Sequence, residues 1–381
     1  MMSKHNKKRN VGIVCQQVLR RAAEAAIDGD KPHVNECVEL LGRHFRPGTE
    51  LYKEHKLFSS ILETGGVDEK TSEKVLSIVK EVSRSIDQNV IEKQKGKGKR
   101  YDCLIGVSGG LDSSYVAYLT KKLGLRTLAV HLDNGWNSEE AVLNIKNTCK
   151  KLNIDYTSFV LDWEMFRDIQ LSVLKSSIVE VEIPTDIAIS GALHIVAAKH
   201  NIKYIISGGN YATEGILPEK WFYNPKDLKL LKSIHRKFSN KNLDGFPYFD
   251  YKREIFYKFF KGIKMFYLLN YVPYKKHNVM DILKKELDWK YYGGKHYESK
   301  FTGFVQSYYQ YEKFKLDYRR ATFSTQICTG EMNREEALKI LEKKPYDPKK
   351  IDSEIEYISK KLGIEKQEFL DIFSSKPKSY K

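Results

Sequence analysis

The stretch CLIGVSGGLDSSYVAYL, Cys103 to Leu119, constrains this chain more than any other. Its short continuous apolar run reads as a strand buried on both faces. The run passes into Ser108-Gly109-Gly110-Leu111-Asp112-Ser113-Ser114. A helical pattern then begins near Ser113, with Val116, Leu119 and Leu123 on one side and Gly124 as its stop. Two glycines at such a junction let the backbone turn tightly and aim several N–H groups at one point, where the helix N-terminus adds its positive end. The junction suits an anion. Ser108, Ser113 and Ser114 can donate hydroxyl hydrogen bonds to phosphate oxygens. Asp112 would repel a bare phosphate, and it makes sense in the cradle if it holds Mg²⁺ against that phosphate. The loop has no Gly-Lys-Ser/Thr lysine and is not Gly-x-Gly-x-x-Gly.

Around the loop, strands alternate with helices. LRTLAVHLD, YTSFVLD and YIISGGN read as three further strands. EEAVLNIKNTCKKLN, MFRDIQLSVLKSS and DIAISGALHIVAAKH read as the helices between them. This alternation predicts an α/β fold with a parallel sheet and right-handed crossovers, whose ligands bind beyond the carboxyl ends of the strands. The polar clusters SGGLDS, LDNGWNS and SGGNYATE fall at those ends. Ahead of the sheet, residues up to about 92 read as helical, and KQKGKGKR is a charged, glycine-broken hinge. The expected division is a helical N-terminal unit over 1–94, an α/β domain carrying the anion-binding loop over 95–220 and a mostly helical, aromatic and basic C-terminal region over 221–381.

Charge is concentrated in the second half. Lys220 to Arg320 holds 23 Lys and Arg against 10 Asp and Glu, and 27 of the chain's 46 Phe, Trp and Tyr. Such a mixture suits nucleic acid, a nucleotide-sugar with its phosphates and flat base, or a solvated basic face over an aromatic core. No apolar run reaches the roughly 18 residues of a membrane span, so no membrane partner is expected. The basic start MMSKHNKKRN leads into no apolar core with a small-residue cleavage site. Five scattered cysteines, never in a CxxC pair, read as reduced thiols of a cytoplasmic protein.

SGGLDS resembles the SGGxDS signature of the PP-loop ATP pyrophosphatases. In that superfamily the loop grips the pyrophosphate of ATP while a substrate oxygen attacks the α-phosphate. The resemblance implies ATP and Mg²⁺ as cofactors, with Ser108, Gly109, Gly110, Asp112, Ser113 and Ser114 around the phosphates. It also implies Asp133 and Asn134 at the adenosine, and Ser207, Gly208, Gly209 and Asn210 in a second nucleotide segment. Glu214 in SGGNYATE would partner Asp112 around the metal.

Further segments, HLDNGWNSEEAVLNI, IPTDIAI, YGGKHYESKFTGF and CTGEMNREEAL, are similar to the N-acetyl sugar amidotransferases of bacterial surface polysaccharide synthesis. That likeness runs from about Tyr101 to Pro348. It implies conversion of an acetamido sugar, UDP-linked and acidic, into an acetamidino sugar, with release of AMP and pyrophosphate. Asp112, Ser113 and Lys295 would be catalytic. Thr185, Asp186, Lys295, His296, Glu298, Arg319 and Arg320 would bind the sugar. Ammonia would come from a separate glutaminase subunit with an ammonia-channel subunit, both resembling the histidine-biosynthesis pair.

The family's cysteine-rich start has no counterpart here, so its structural zinc is not carried over, although Cys15, Cys37 and His33 or His44 leave that question open. The N-terminal unit could dock a partner or mediate self-association. Two other readings stand beside the amidotransferase. One is a tRNA-modifying enzyme, a thiolase or lysidine-type ligase, which the charge of +16 would suit but the distal motifs do not favour. The other is a non-catalytic nucleotide-binding subunit, against which the intact loop speaks.

Overall fold

The computed structural model describes residues 95–214, 221, 224, 226–272, 274–294 and 297–378. The chain divides into two units, Met1–Lys93 and Gln94–Lys381. The expected helical unit and the candidate zinc ligands lie outside the described residues, as does the expected boundary at 220.

Five parallel strands form the sheet: β1 (Cys103–Gly106), β2 (Thr127–Asp133), β3 (Asp155–Val160), β4 (Tyr204–Ser207) and β5 (Lys264–Tyr267), in the order β3-β2-β1-β4-β5. β1 pairs with β2 on one side, Ile105 opposite Ala129, and with β4 on the other, Ile105 opposite Ile206. The chain therefore leaves β1 towards one edge and later returns to its other side. That reversal of strand order is where open α/β sheets bind their ligands, beyond the carboxyl ends of β1 and β4. The central strand is apolar because both its faces are covered; Leu104 and Ile105 are wholly buried.

The first helices are α1 (Leu111–Lys122), α2 (Glu139–Leu152), α3 (Trp163–Lys175), α4 (Ile183–Lys199), the single turn α5 (Tyr211–Glu214) and α6 (Leu228–Phe238). After β5 comes α8 (Lys276–Leu287), following the short α7 (Tyr251–Ile255) that precedes the strand. α1, α2 and α8 pack together, α3, α4 and α6 pack together, and α1 and α4 both lie on the central strands. Helices thus cover both faces. Ser138 and Asp162 cap α2 and α3, accepting from the N–H groups of Ala141 and Met165.

Beyond α8 the chain is helical: α9 (Lys300–Phe304), α10 (Gln310–Phe314), α11 (Arg319–Cys328), α12 (Arg334–Leu341), α13 (Ile351–Leu362) and α14 (Lys366–Ser374), with a π turn at Val305–Tyr309. Ahead of α8, β5 is the exception to the mostly helical character expected of 221–381. The strand is four residues long, sits at the sheet edge and is largely exposed, so it lacks the apolar run that marked the central strands.

One core joins the two halves. Trp136 and Phe166 from the sheet region pack in the same cluster as Phe301, Phe304, Ile358 and Phe369 from the C-terminal helices. The Trp136 indole N–H donates to Gln170 Oε1 at 2.6 Å, and Lys361 Nζ lies 4.9 Å over its ring while donating to the Gly135 carbonyl.

At the opposite end of β1, Asp102 is buried and carries a charge. Arg126 donates to it through Nη2 at 2.7 Å and Nε at 3.1 Å, and the backbone N–H groups of Arg126 and Gly96 donate at 3.0 Å. Burial alone would raise its pKa; the Arg126 fork and the backbone donors outweigh it and hold the carboxyl below its usual range. A lowered folded pKa contributes stability above the unfolded value of about 4, lost as pH falls through the folded value. Asp102→Asn is therefore expected to cost about 1–3 kcal/mol at neutral pH, with the difference in melting temperature from the native chain narrowing towards pH 3. A difference that stays constant across that range would show that the charge of Asp102 contributes nothing.

Candidate active site

The loop after β1 is built around close backbone approaches. Gly109 has φ +78°, and a Cβ there would stand 2.3 Å from the carbonyl oxygen of Ala141 at the start of α2. The Gly109 carbonyl accepts from Trp289 Nε1 at 3.0 Å and Asn144 Nδ2 at 3.2 Å, which fixes the turn from outside. Gly110 is the N-cap of α1 and has no side chain to cap it, so the positive end of the helix dipole faces the loop. Ser108 Oγ accepts from the Gly110 N–H and lies 3.2 Å from Ser113 Oγ, which itself accepts from the Ser108 N–H. Ser108 and Ser113 thus shape the cradle together. Ser114 is buried beneath it.

The loop after β4 closes the other side. A Cβ on Gly208 would lie 3.2 Å from the Ser113 nitrogen and 3.3 Å from the Asp112 carbonyl carbon, so the two loops touch backbone to backbone. Ser207 Oγ accepts from Gly209 N–H, and Asn210 Oδ1 accepts from Thr213 N–H. Ser207 to Asn210 therefore form a self-braced turn leading into α5.

Asp133 and Asn134 end β2 as expected, and their side chains organise the turn there. Asp133 Oδ1 accepts from Gly135 N–H at 2.9 Å and from Asn137 Nδ2 at 3.0 Å; Asn134 Oδ1 accepts from Trp136 N–H at 3.2 Å. His131 joins this turn to the phosphate loop, with Nδ1 donating to the Val107 carbonyl and Nε2 accepting from Asn137. Burial lowers its pKa, so the ring bridges the two loops in its neutral form.

Two tyrosines that the sequence did not single out reach the cradle from the aromatic region. Tyr274 donates to Asp112 Oδ1, and the Leu111 N–H donates to the Tyr292 hydroxyl at 3.3 Å. Burial first, and then the Asp112 charge, push the Tyr274 phenol far above its ordinary range. Burial and the Glu298 carboxylate do the same for Tyr292, which bonds Glu298. Both stay protonated and act as hydroxyl donors. Nothing but their place in a tyrosine-rich segment marked them in advance.

The same two segments line a cleft of about 710 Å³. Lys275 to Asn278 follow Tyr274 along its wall; Tyr291, Gly293 and Gly294 flank Tyr292; Tyr297, Tyr318, Arg319 and Lys344 complete a basic, aromatic lining. Lys295 and His296 lie outside the described residues. Glu298 falls between cradle and cleft, its Oε1 3.1 Å from where a Cβ of Gly110 would stand. Arg319 lines the cleft, but its guanidinium forks onto Asp317 and donates to the carbonyls of Ile340 and Lys343, so its first task is to hold α11 to α12. Arg320 is exposed.

Thr185 and Asp186 open α4 within a group of carboxylates. Burial first, and then the charges of Asp186 and Glu182, raise Glu180 to about 8; burial raises Glu182 to about 7. Burial, with Glu214 beside it, raises Asp186 to about 7. Tyr318, in the cleft wall, feels Glu180, Glu214 and Asp186 together. The acidic pair in IVEVEIPTD was legible as two carboxylates in an apolar run, yet the sequence reading passed over Glu180 and Glu182.

The cradle fits a nucleoside triphosphate: the helix start without a side-chain cap, the positive φ of Gly109 and the glycine contact between loops give backbone and helix dipole close access to a bound phosphate. Asp112 would supply the hard oxygen that Mg²⁺ takes alongside phosphates. Glu214 acts on Asp186, and among the described residues no three His, Cys, Asp or Glu side chains form a ready metal cage.

Residues 78–171 match the NAD synthase family, and residues 298–381 match the family described as LPS biosynthesis protein WbpG-like, C-terminal domain. The first of these matches contains the whole cradle after β1. The nucleotide half is a PP-loop ATP pyrophosphatase-like domain. Among curated relatives, the 7-cyano-7-deazaguanine synthase of Sulfurimonas denitrificans is 32% identical over 88 residues, which is 23% of this chain and 38% of that one. The tRNA(Ile)-lysidine synthase of Chlamydia pneumoniae is 35% identical over 68 residues, 17% of this chain and 21% of that one. The chain thus spans well under half the length of these relatives. The solved U34-tRNA thiolase NcsA of Methanococcus maripaludis, with its [4Fe-4S] cluster, aligns over 69% of this chain and 80% of its own at 14% identity and a TM-score of 0.32. Among the described residues of this PP-loop protein, no helix is long and apolar enough to cross a membrane.

In this PP-loop, Tyr274 orients the carboxylate expected to hold the metal. Tyr274→Phe should raise the Mg²⁺ concentration for half-maximal AMP formation by on the order of tenfold, with little change in melting temperature. An unchanged Mg²⁺ dependence would leave Tyr274 a packing residue only.

Proposed function

We propose that this protein is an ATP-dependent amidotransferase of lipopolysaccharide biosynthesis. It would convert the acetamido group of a nucleotide-linked, acidic N-acetyl sugar into an acetamidino group, releasing AMP and pyrophosphate. One observation carries the reading: the phosphate cradle and the basic, aromatic cleft share the segments around Tyr274 and Tyr292, so ATP and a sugar-nucleotide can meet there. The match of residues 298–381 to a lipopolysaccharide-synthesis domain supports it.

An amide carbonyl is a poor electrophile, and ammonia does not displace its oxygen unaided. In the proposed reaction the amide oxygen attacks the α-phosphorus and pyrophosphate leaves. Ammonia then adds to the amide carbon, the C–O bond breaks, and AMP departs with the former amide oxygen. The Gly109 N–H, the positive end of α1 and the Ser108 and Ser113 hydroxyls would hold the leaving pyrophosphate. Mg²⁺ held by Asp112, with Glu214 as a second carboxylate, would supply positive charge against the same oxygens. Lysines at the cleft would meet sugar carboxylate and phosphates, with Arg320 assigned to the same site in the proposal, and tyrosine rings would meet the sugar and base faces. Lys295 and His296 belong to this sugar site in the proposal. Ammonia would be delivered by a separate glutaminase with its channel subunit.

The test is nucleotide product analysis with ammonium chloride and a UDP-linked diacetamido uronic acid. AMP and pyrophosphate formed together, with NH replacing oxygen in the sugar, is the expected result. AMP released with tRNA and not with sugar would replace this reading by RNA modification.

A further inference from the structure

α7 and the π turn after it, Phe256–Phe260, carry an apolar surface that no other described element covers. Tyr257 alone faces inward, stacked with Phe249 at a ring distance of 6.3 Å. Tyr251 is 73% exposed, Phe259 58% and Phe260 77%, and Phe256 stacks on Phe260 at 6.0 Å. The neighbouring edge strand β5 adds exposed Met265 and Tyr267.

The charges around these rings have one sign. Lys252, Lys258, Lys261 and Lys264 are exposed. Lys258 Nζ lies 5.8 Å from the Phe259 ring centre and Lys261 Nζ 5.7 Å from that of Phe256. The one acid between Tyr251 and Tyr267, Glu254, is paired with Lys226 at 2.9 Å. Exposed aromatic rings with lysine stems laid along them form an amphipathic surface suited to a water–lipid boundary, where rings enter the headgroup layer and ammonium groups meet phosphate.

A second copy of the chain fits this surface poorly. It would bring the same positive charge, and β5 is short and starts with a lysine, a combination that resists strand addition.

We propose that the surface formed by α7, Phe256–Phe260 and β5 docks on the headgroup layer of an anionic phospholipid bilayer. This peripheral contact would run against the sequence expectation of no membrane partner, and it does not depend on the reaction proposed above.

The test is co-sedimentation of the full chain with vesicles of phosphatidylglycerol and phosphatidylcholine, against phosphatidylcholine alone. Binding to the anionic vesicles, weakened by salt, is expected. The combined Phe256→Ser, Phe259→Ser and Phe260→Ser variant should bind about tenfold more weakly or worse at an unchanged melting temperature. Lys258→Glu with Lys261→Glu should weaken binding to a similar degree and serves if the serine variant misfolds. The proposal is overturned by an absence of binding to anionic vesicles. It is equally overturned if both variants bind like the native chain, which would make the association a matter of net charge. A concentration-dependent dimer that the serine variant abolishes, without vesicle binding, would assign the surface to a second copy.

Discussion

Asp112→Asn is expected to lower sugar- and ATP-dependent AMP formation by on the order of 10²–10³-fold. Asp112 sits in the first turn of α1, where a carboxylate also suits the helix end, and its Oδ1 accepts from Tyr274. Asparagine fills the same volume and can still accept that bond, but it removes the negative charge that would hold Mg²⁺ against pyrophosphate. The fold should therefore survive while turnover does not. Product formation is read by separating AMP from ATP, and integrity by melting temperature. Turnover within a few-fold of native would take the metal away from Asp112.

Gly109→Ala is expected to cost about 2–4 kcal/mol of stability and to abolish nucleotide binding in whatever fraction remains folded. Two penalties coincide there. A residue with a Cβ is strained at φ +78°, and that Cβ would meet the Ala141 backbone carbonyl at 2.3 Å. No side-chain rotation relieves a clash with backbone, so the loop or the start of α2 must move. Gly245→Ala is the internal control: its φ is +85°, and nothing lies within 4 Å of the new carbon. It should cost only the backbone strain, about 1 kcal/mol. Equal urea midpoints for the two variants would show that close packing of the loop on α2 is immaterial.

The cradle was readable in the sequence because its physics is local. A buried strand, two glycines and a helix start follow one another within a dozen residues, and periodicity marks each. β1 to β4 and α1 to α4 were legible for the same reason. β5 was not, because an exposed edge strand of four residues carries no periodic signature. Tyr274 and Tyr292 were invisible for a different reason: they reach Asp112 and Leu111 across 162 and 181 positions of sequence, and one tyrosine among many has no mark of its own. Arg319 teaches the converse. It reads as an anion ligand in a basic region, and only its fork onto Asp317 shows its bracing role.

The shared core around Trp136 bears on how this chain could be taken apart or recombined. Phe301 packs against the Trp136 ring at 5.0 Å, and Lys361 reaches from α13 to the turn that follows β2. Residues 298–381 can be delimited by sequence comparison, yet their interior is completed by a side chain from the nucleotide half. Cut at Glu298, each piece would present to water a surface made for the other. Chimeras that exchange this segment between PP-loop proteins would have to carry Trp136 and its turn along with it, and the two halves are bound to drift in sequence together.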